Sequence, residues 1–191
     1  MKLVNSEQKI KKPLVWFEIS KKNLRYNITQ IKSLVKSSKI MAVVKANAYG
    51  AGILGVSKII EKDVNAFGVV GILEAIALRD SGITKPIINL GIYSFEDAEK
   101  LINNNISPTI VTFAAFRDFE RRSKKLKIKN SVWISVDTGL NRLSVPYQNT
   151  VKYISEVSKS KWLAIEGVFS TLTEDKEFDR VQYDRFMKVK K

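Results

Sequence analysis

Short apolar runs alternate with amphipathic segments along most of this chain, and both patterns predict regular secondary structure. The run from Ile40 to Val44 has five apolar residues in succession, which is typical of a buried strand. Further runs rich in β-branched and aromatic residues have the same character. The predicted strands are "LVWFEI" (14–19), "KIMAVVKA" (39–46), "AFGVV" (66–70), "PIINLGI" (86–92), "SPTIV" (107–111), "SVWISVD" (131–137) and "LAIEGVFST" (163–171).

The amphipathic segments predict helices between these strands. From about residue 23 to 37, apolar residues recur at helical spacing and form one stripe, made of Leu24, Ile28, Ile31 and Val35. Turn signals such as "SGITKP", "NNNISP" and "VDTG" lie in the gaps. The other predicted helices span roughly residues 53–62, 72–81, 95–104, 113–125 and 147–159, and another begins near Phe178.

Apolar strands that are each followed by a helix indicate a parallel α/β sheet, either doubly wound or closed as a (β/α)8 barrel. A doubly wound nucleotide-binding fold favours the turn G-x-G-x-x-G, and the glycines at 50, 52 and 55 have this spacing, but such a motif alone is a weak signal. We predict instead a partial (β/α)8 TIM barrel with parallel strands, because Lys45, Asp137 and Thr171 all fall at the predicted carboxyl ends of strands, where the functional residues of a barrel lie. About six strand-helix units are visible, whereas a barrel needs eight and typically about 250 residues.

The amino-acid composition restricts the kinds of catalytic and metal-binding sites that this chain can form. The 191-residue chain contains no cysteine and no histidine, which excludes disulfides, thiolate catalysis, Ser-His arrangements and the usual zinc sites, so we predict no metal. No apolar run approaches the roughly 18 residues of a membrane span. The formal charge of +14 raises the possibility of nucleic-acid binding, but the excess lysines are scattered, which favours a solvated surface. Because cysteine and histidine are absent, catalysis must come from Lys, Tyr, Arg, Asp, Glu or a cofactor.

Lys45 stands out because the buried run before it ends in a charge rather than in a turn residue. A lysine in such a place is a candidate nucleophile or Schiff-base former. Asp137 and Thr171 also fall at predicted strand ends, and the functional residues of a barrel lie at the carboxyl ends of its strands.

The segment "AVVKANAYGAG" closely resembles the pyridoxal-phosphate motif of the alanine racemase family. The resemblance extends to "VWFEISKKNLRYNI" before it and to "AFGVVGILEAIALRDSGITKPIINLG", "SPTI" and "VDTGLNRLS" after it, from about Val15 to Phe186. It implies the N-terminal pyridoxal-phosphate-binding barrel of an enzyme that racemises L-alanine and D-alanine and supplies D-alanine for peptidoglycan. The complete enzyme is expected to be a cytoplasmic homodimer with a small amino-acid substrate.

The resemblance also implies site residues. Lys45 is expected to bind pyridoxal phosphate covalently and to act as base on one face of the substrate. Tyr49 matches the tyrosine that contacts the cofactor phosphate, and Arg142 in "DTGLNR" matches the arginine near the substrate carboxylate and the cofactor oxygen. An ion pair between Arg142 and Asp137 is an alternative role for this arginine. Asp137 itself is expected to form a turn or to contact and support a site residue, rather than to catalyse.

Two features depart from the family pattern. Thr171 stands where many members carry a histidine that stacks on the cofactor ring. The second departure is that two expected residues are missing from the matched segment. These are the second base and the arginine that faces the pyridine nitrogen of the cofactor, and in the family both belong to regions that follow this segment. We therefore interpret residues 1–13 as a tail and residues 14–191 as the N-terminal part of the barrel, without its last units and the β domain. Alone, this part is expected to be inactive.

Two other functions stay open from the sequence: a racemase of another amino acid and a non-catalytic pyridoxal-phosphate-binding module. A basic nucleic-acid binder is a third alternative, and it predicts affinity that falls steeply with salt. If the barrel is incomplete, strands 39–46 and 163–171 should not pair with each other, and the aromatic residues of "LVWFEI" should be exposed. We expect such open edges to favour self-association.

Overall fold

A computed structural model describes residues 17–190 as an α/β fold in which helices cover a parallel sheet. Every predicted strand from residue 39 onward is present, although most are shorter than predicted. The strands are β1 (Met41–Val43), β2 (Ala66–Val69), β3 (Ile87–Asn89), β4 (Ile106–Pro108), β5 (Asn130–Asp137), β6 (Val145–Pro146) and β7 (Leu163–Phe169).

The predicted helices are also present, and the last one begins two residues earlier than Phe178, at Lys176. None of the helices within residues 17–190 combines the length and apolar character needed to cross a membrane. The helices are α1 (Lys21–Val35), the short turn α2 (Lys45–Tyr49), α3 (Ile53–Ile60), α4 (Ile72–Asp80), α5 (Ala98–Asn103, after the 3-10 turn Phe95–Asp97), α6 (Phe113–Leu126), α7 (Tyr147–Val157) and α8 (Lys176–Lys190).

Each of the first four strands pairs in parallel with the next one along the chain, which gives the order β1-β2-β3-β4. A parallel bridge between Thr109 and Trp133 joins the end of β4 to β5, and β5 pairs with β7 on its other side. Within residues 17–190, no backbone pairing links β1 to β7. This agrees with the expected open sheet of six main strands.

The two faces of the sheet differ, since helices cover one face and the inner face carries a recess. Phe67 and Val69 of β2 are fully buried in the core beneath the helices. The residue between them, Gly68, faces the inner side, where a Cβ atom would lie 3.1 Å from the Met41 sulfur and 3.4 Å from Val43 Cγ2. A recess on this inner side is lined from several strands, by Met41, Ile88, Trp133 and Glu166 among others, so the sheet is curved. Because all these strands are parallel, their carboxyl ends lie along one edge of the curved sheet, which we call the mouth.

The prediction of a strand at 14–19 is wrong for the residues that can be described. Residues 17–19 form no strand, and residues 14–16, including Trp16, lie outside the described part of the chain. A strand needs a hydrogen-bonding partner, and residues 17–19 pair with none of the strands β1 to β7. Phe17 is 76% exposed, as expected for an aromatic residue without a packing partner.

Arg79 ties the sheet's amino-terminal edge together, and none of the ion pairs among residues 17–190 includes it. Its guanidinium donates to four backbone carbonyls over 2.6–3.2 Å, those of Ile83, Lys85, Asn104 and Asn105. Partial burial lowers the pKa of Arg79, but an arginine stays charged at physiological pH. One side chain thereby connects the end of α4 with the entrances of β3 and β4.

Replacing Arg79 with alanine is expected to lower the free energy of unfolding by about 2–3 kcal/mol, because four carbonyl groups lose a charged donor. Arg79→Lys should recover only part of this, since an ammonium cannot match the planar guanidinium. Urea unfolding followed by circular dichroism would measure both. Arg180→Ala is the matched control because Arg180 is 76% exposed, and it should change stability by less than about 0.5 kcal/mol. Equal effects at both positions would contradict this role.

Candidate functional site

Lys45 lies immediately after the last residue that continues the β1 ladder. Val44 N still donates to the Gly68 carbonyl of β2 at 2.8 Å, and the chain then leaves the sheet. The Lys45 side chain is partly buried, and the ion pairs found among residues 17–190 do not include it. Its amine is therefore available for chemistry at the end of the sheet where barrel sites are found.

The turn α2 is left-handed after its first residue. Ala46, Asn47, Ala48 and Tyr49 all have φ between 52° and 55°, although none of them is a glycine. Left-handed helical geometry costs L-residues roughly 1–2 kcal/mol each, so surrounding contacts must stabilise the turn. Gly50, at φ 88°, then lets the chain leave this conformation, and its N–H donates to the Ala46 carbonyl at 3.0 Å.

This backbone path brings Tyr49 to Lys45. The Lys45 Nζ atom lies 5.9 Å from the centre of the Tyr49 ring, a cation-π distance. Tyr49 is 68% exposed, so its phenol is free to donate to a ligand at the mouth.

Arg142 belongs to a different strand end. It is exposed in the loop after β5, and its Nη2 atom donates to Thr171 Oγ1 at 3.0 Å, just past β7. The alternative ion pair with Asp137 is not formed. Instead, Asp137 Oδ1 accepts from the N–H groups of Gly139 (2.8 Å) and Asn141 (3.0 Å), which confirms its predicted turn-forming role. The structure thus joins Lys45 with Tyr49, and Arg142 with Thr171.

A buried amide supports the segment that carries Thr171. Gln182 of α8 is fully buried, and its Nε2 atom donates to Thr138 Oγ1 (3.0 Å) and to the Thr171 carbonyl (3.1 Å). Its Oε1 atom accepts from Thr173 N at 2.9 Å. Since all its partners lie in the loops after β5 and β7, Gln182 fixes the backbone that presents the partner of Arg142.

Sequence reasoning missed three residues that shape this site: Gln182, Asn47 and Glu74. Asn47 Oδ1 accepts from Ile53 N at 2.9 Å, and Glu74 Oε1 accepts from Asn47 N at 2.8 Å. One signal was present, because Glu74 follows Gly71 at the spacing by which a glutamate caps a helix start. Nothing in the sequence indicated that the same carboxylate also reaches α2.

The chain was compared with known proteins by sequence and by structure. A family model described as "Alanine racemase, N-terminal domain" matches residues 19–191. The alanine racemase of Carboxydothermus hydrogenoformans is 35% identical over 177 residues, which cover 90% of this chain and 48% of that protein. The chain thus spans about half the length of this relative.

Two solved structures agree with this similarity. The alanine racemase of Clostridium difficile 630 superposes with a TM-score of 0.85 at 32% identity, covering 88% of this chain and 49% of that one. The histidine racemase of Leuconostoc mesenteroides subsp. sake NBRC 102480 superposes with a TM-score of 0.81 at 25% identity, covering 87% and 46%. The chain therefore belongs to the family of the alanine racemase N-terminal domain, and its curved sheet is part of the TIM barrel of that family.

Proposed function

We propose that this chain is the pyridoxal-phosphate-binding part of a racemase whose complete form interconverts L-alanine and D-alanine. The observation that carries the proposal is the Lys45 amine at the end of β1, which forms no ion pair within residues 17–190 and lies beside Tyr49 in a left-handed turn. Support also comes from the similarity to alanine racemases along about nine tenths of the chain. From the family resemblance we further propose a cytoplasmic homodimer that supplies D-alanine for peptidoglycan.

The donor set fits this cofactor. Covalent attachment of an aldehyde requires a primary amine, and Lys45 provides one without a competing carboxylate among residues 17–190. Binding of a phosphate requires hydrogen-bond donors, which the exposed Tyr49 phenol supplies. Binding of a substrate carboxylate favours a guanidinium, which Arg142 supplies. Neither Tyr49 nor Arg142 is buried, so both can reach a ligand.

When bound, pyridoxal phosphate draws electrons from the α-carbon of an amino acid, so that the proton there can be removed. The chain's own residues then have separate tasks. Lys45 anchors the cofactor, and its Nζ atom, once free, accepts or returns a proton. Tyr49 donates to the phosphate and orients the ring. Arg142 neutralises the substrate carboxylate, and its hydrogen bond to Thr171 restricts where the guanidinium lies.

Thr171 changes this site relative to family members with histidine at the same place. A threonine cannot stack on a pyridine ring, because it has no π-system. Its hydroxyl instead accepts a hydrogen bond from Arg142. We propose that Thr171 orients the substrate-binding arginine instead of stacking on the cofactor ring.

The similarity to a histidine racemase favours one second candidate, racemisation of an amino acid other than alanine. Both candidates predict the same covalent chemistry at Lys45. They differ in the amino acid that the complete protein accepts, which competition between alanine and other amino acids would identify. A non-catalytic pyridoxal-phosphate-binding module predicts the same labelling but no racemisation by the complete protein.

Borohydride reduction tests the covalent attachment of pyridoxal phosphate to Lys45, which all of these candidates share. We expect pyridoxal phosphate, added to the purified chain and reduced, to be fixed almost only on the peptide that contains Lys45. The chain has 33 lysines and arginines in total, so selective labelling would be informative. Peptide mapping by mass spectrometry identifies the labelled residue. Label distributed over many exposed lysines would contradict the proposal.

A further inference from the structure

The left-handed α2 turn needs external stabilisation, because its geometry is unfavourable for the residues that form it. Four successive non-glycine residues, 46 to 49, have φ near +55°. Hydrogen bonds within the segment offset part of this cost, from Ala48 N to the Val44 carbonyl (2.9 Å) and from Gly52 N to the Asn47 carbonyl (2.9 Å). The Asn47 N–H takes part in neither of these two hydrogen bonds.

Glu74, which lies outside the turn, accepts a hydrogen bond from the Asn47 N–H. Its Oε1 atom accepts from Asn47 N at 2.8 Å, across 27 residues of sequence. Its Oε2 atom accepts from Gly71 N at 3.3 Å, just before α4 begins. A Cβ atom at Gly71 would lie 3.4 Å from both Cγ and Oε2 of Glu74, so the carboxylate is folded closely over this glycine. One carboxylate thus links the start of α4 to the turn that follows β1.

Asn47 extends the link to α3. While its N–H donates to Glu74, its Oδ1 atom accepts from Ile53 N, the first residue of α3, at 2.9 Å. Asparagine is also among the few non-glycine residues that tolerate left-handed backbone geometry. Glu74 and Asn47 therefore hold the turn from both sides, and Lys45 is the residue at which the turn begins.

We propose that Glu74 is a positioning residue that maintains the left-handed α2 turn and thereby places the Lys45 amine and the Tyr49 phenol together. The role of these two groups rests on the proposed function, but the state of the turn does not. Glu74 acts through the Asn47 backbone. A charge-assisted hydrogen bond to a backbone N–H is stronger than a neutral one, which suits a glutamate for this task.

Two variants of the 191-residue chain test the inference. Glu74→Ala removes both hydrogen bonds, whereas Glu74→Gln keeps one carbonyl acceptor of nearly the same shape. Glu61→Ala is the matched control, because Glu61 also accepts from a backbone N–H, that of Thr84 at 3.0 Å, before β3. Amide hydrogen exchange at Asn47 and Gly50 measures the turn without any cofactor. Borohydride trapping of pyridoxal phosphate at Lys45 measures its consequence.

We expect Glu74→Ala to accelerate exchange at Asn47 and Gly50 by about 10-fold or more and to slow trapping at Lys45. Glu74→Gln should restore part of both, and Glu61→Ala should change neither. The Phe67 amide, which pairs with the Pro86 carbonyl at 2.9 Å in the sheet, reports general destabilisation.

The possible outcomes distinguish failure of the positioning role of Glu74 from failure of the proposed function. Unchanged exchange at Asn47 in both Glu74 variants would overturn the inference, as would equal acceleration at Asn47 and Phe67. If Glu74→Ala does not fold, Glu74→Gln decides by the same criteria. If the unchanged chain does not trap pyridoxal phosphate at Lys45, the proposed function fails, while the exchange rates still test the role of Glu74.

Discussion

Replacing Lys45 with arginine is expected to abolish covalent attachment of pyridoxal phosphate to this chain. Arginine keeps the positive charge and much of the side-chain length, so packing beside Tyr49 should change little. A guanidinium stays protonated at neutral pH and does not attack an aldehyde as an amine does. Borohydride-fixed label at this peptide should fall to background. In the complete protein, racemisation should fall by about three orders of magnitude or more.

Lys58→Arg is the control for this substitution. Lys58 is exposed on the neighbouring helix α3, so it is a lysine of the same region without a place at the mouth. We expect its replacement to leave the label at Lys45 unchanged. Circular dichroism and the unfolding midpoint should agree among the unchanged chain and both variants. Retention of label on the residue-45 peptide after Lys45→Arg, or its loss after Lys58→Arg, would refute the assignment.

Replacing Gly167 with valine is expected to lower the free energy of unfolding by about 3 kcal/mol or more. A Cβ atom at Gly167 would lie 2.3 Å from Cζ3 of Trp133, and 2.6 Å from both Cε3 and Cη2. Trp133 pairs with Gly167 across β5 and β7, and its ring covers the glycine on the inner side of the sheet. Any side chain at position 167 must displace this large ring from the inner face of the sheet.

Urea unfolding measures this effect, and two further variants isolate its cause. Gly55→Ala lies within α3, where a Cβ atom would meet nothing within 4 Å, and it should be neutral or stabilising by up to about 1 kcal/mol. Combining Gly167→Val with Trp133→Leu should cost less than the sum of the single changes, because the smaller side chain makes room. Strict additivity of the two substitutions would show that their side chains do not compete for space.

The strand-helix alternation was predictable from sequence because each buried strand is an apolar run, and Phe67, Ile87 and Ile134 are fully buried where such runs were found. The strand ends were less predictable. The strand at 39–46 stops at Val43, since the next residues turn into α2. The opening strand at 14–19 is wrong for residues 17–19, because aromatic content indicates a tendency to form strands but not the presence of a partner.

The site was only partly predictable. Lys45, Tyr49 and Arg142 were selected by short motifs, and their roles remain proposals. The left-handed turn could not be foreseen, because Ala46 and Ala48 ordinarily avoid such geometry and the stabilising carboxylate of Glu74 comes from a distant helix. The contact between Arg142 and Thr171 likewise depends on the pairing of β5 with β7, two strands that lie far apart in sequence.

The consecutive strand order has a consequence for how this chain is made on the ribosome. Met41 pairs with Ala66, Phe67 with Ile87, and Ile87 with Ile106, so each strand finds its partner in the next segment to be translated. At about 5–20 residues per second, that partner leaves the exit tunnel within a few seconds. Each strand-helix unit can therefore dock on the preceding one as it emerges. The apolar strands of the nascent chain are then exposed to solvent only briefly before the next unit packs against them.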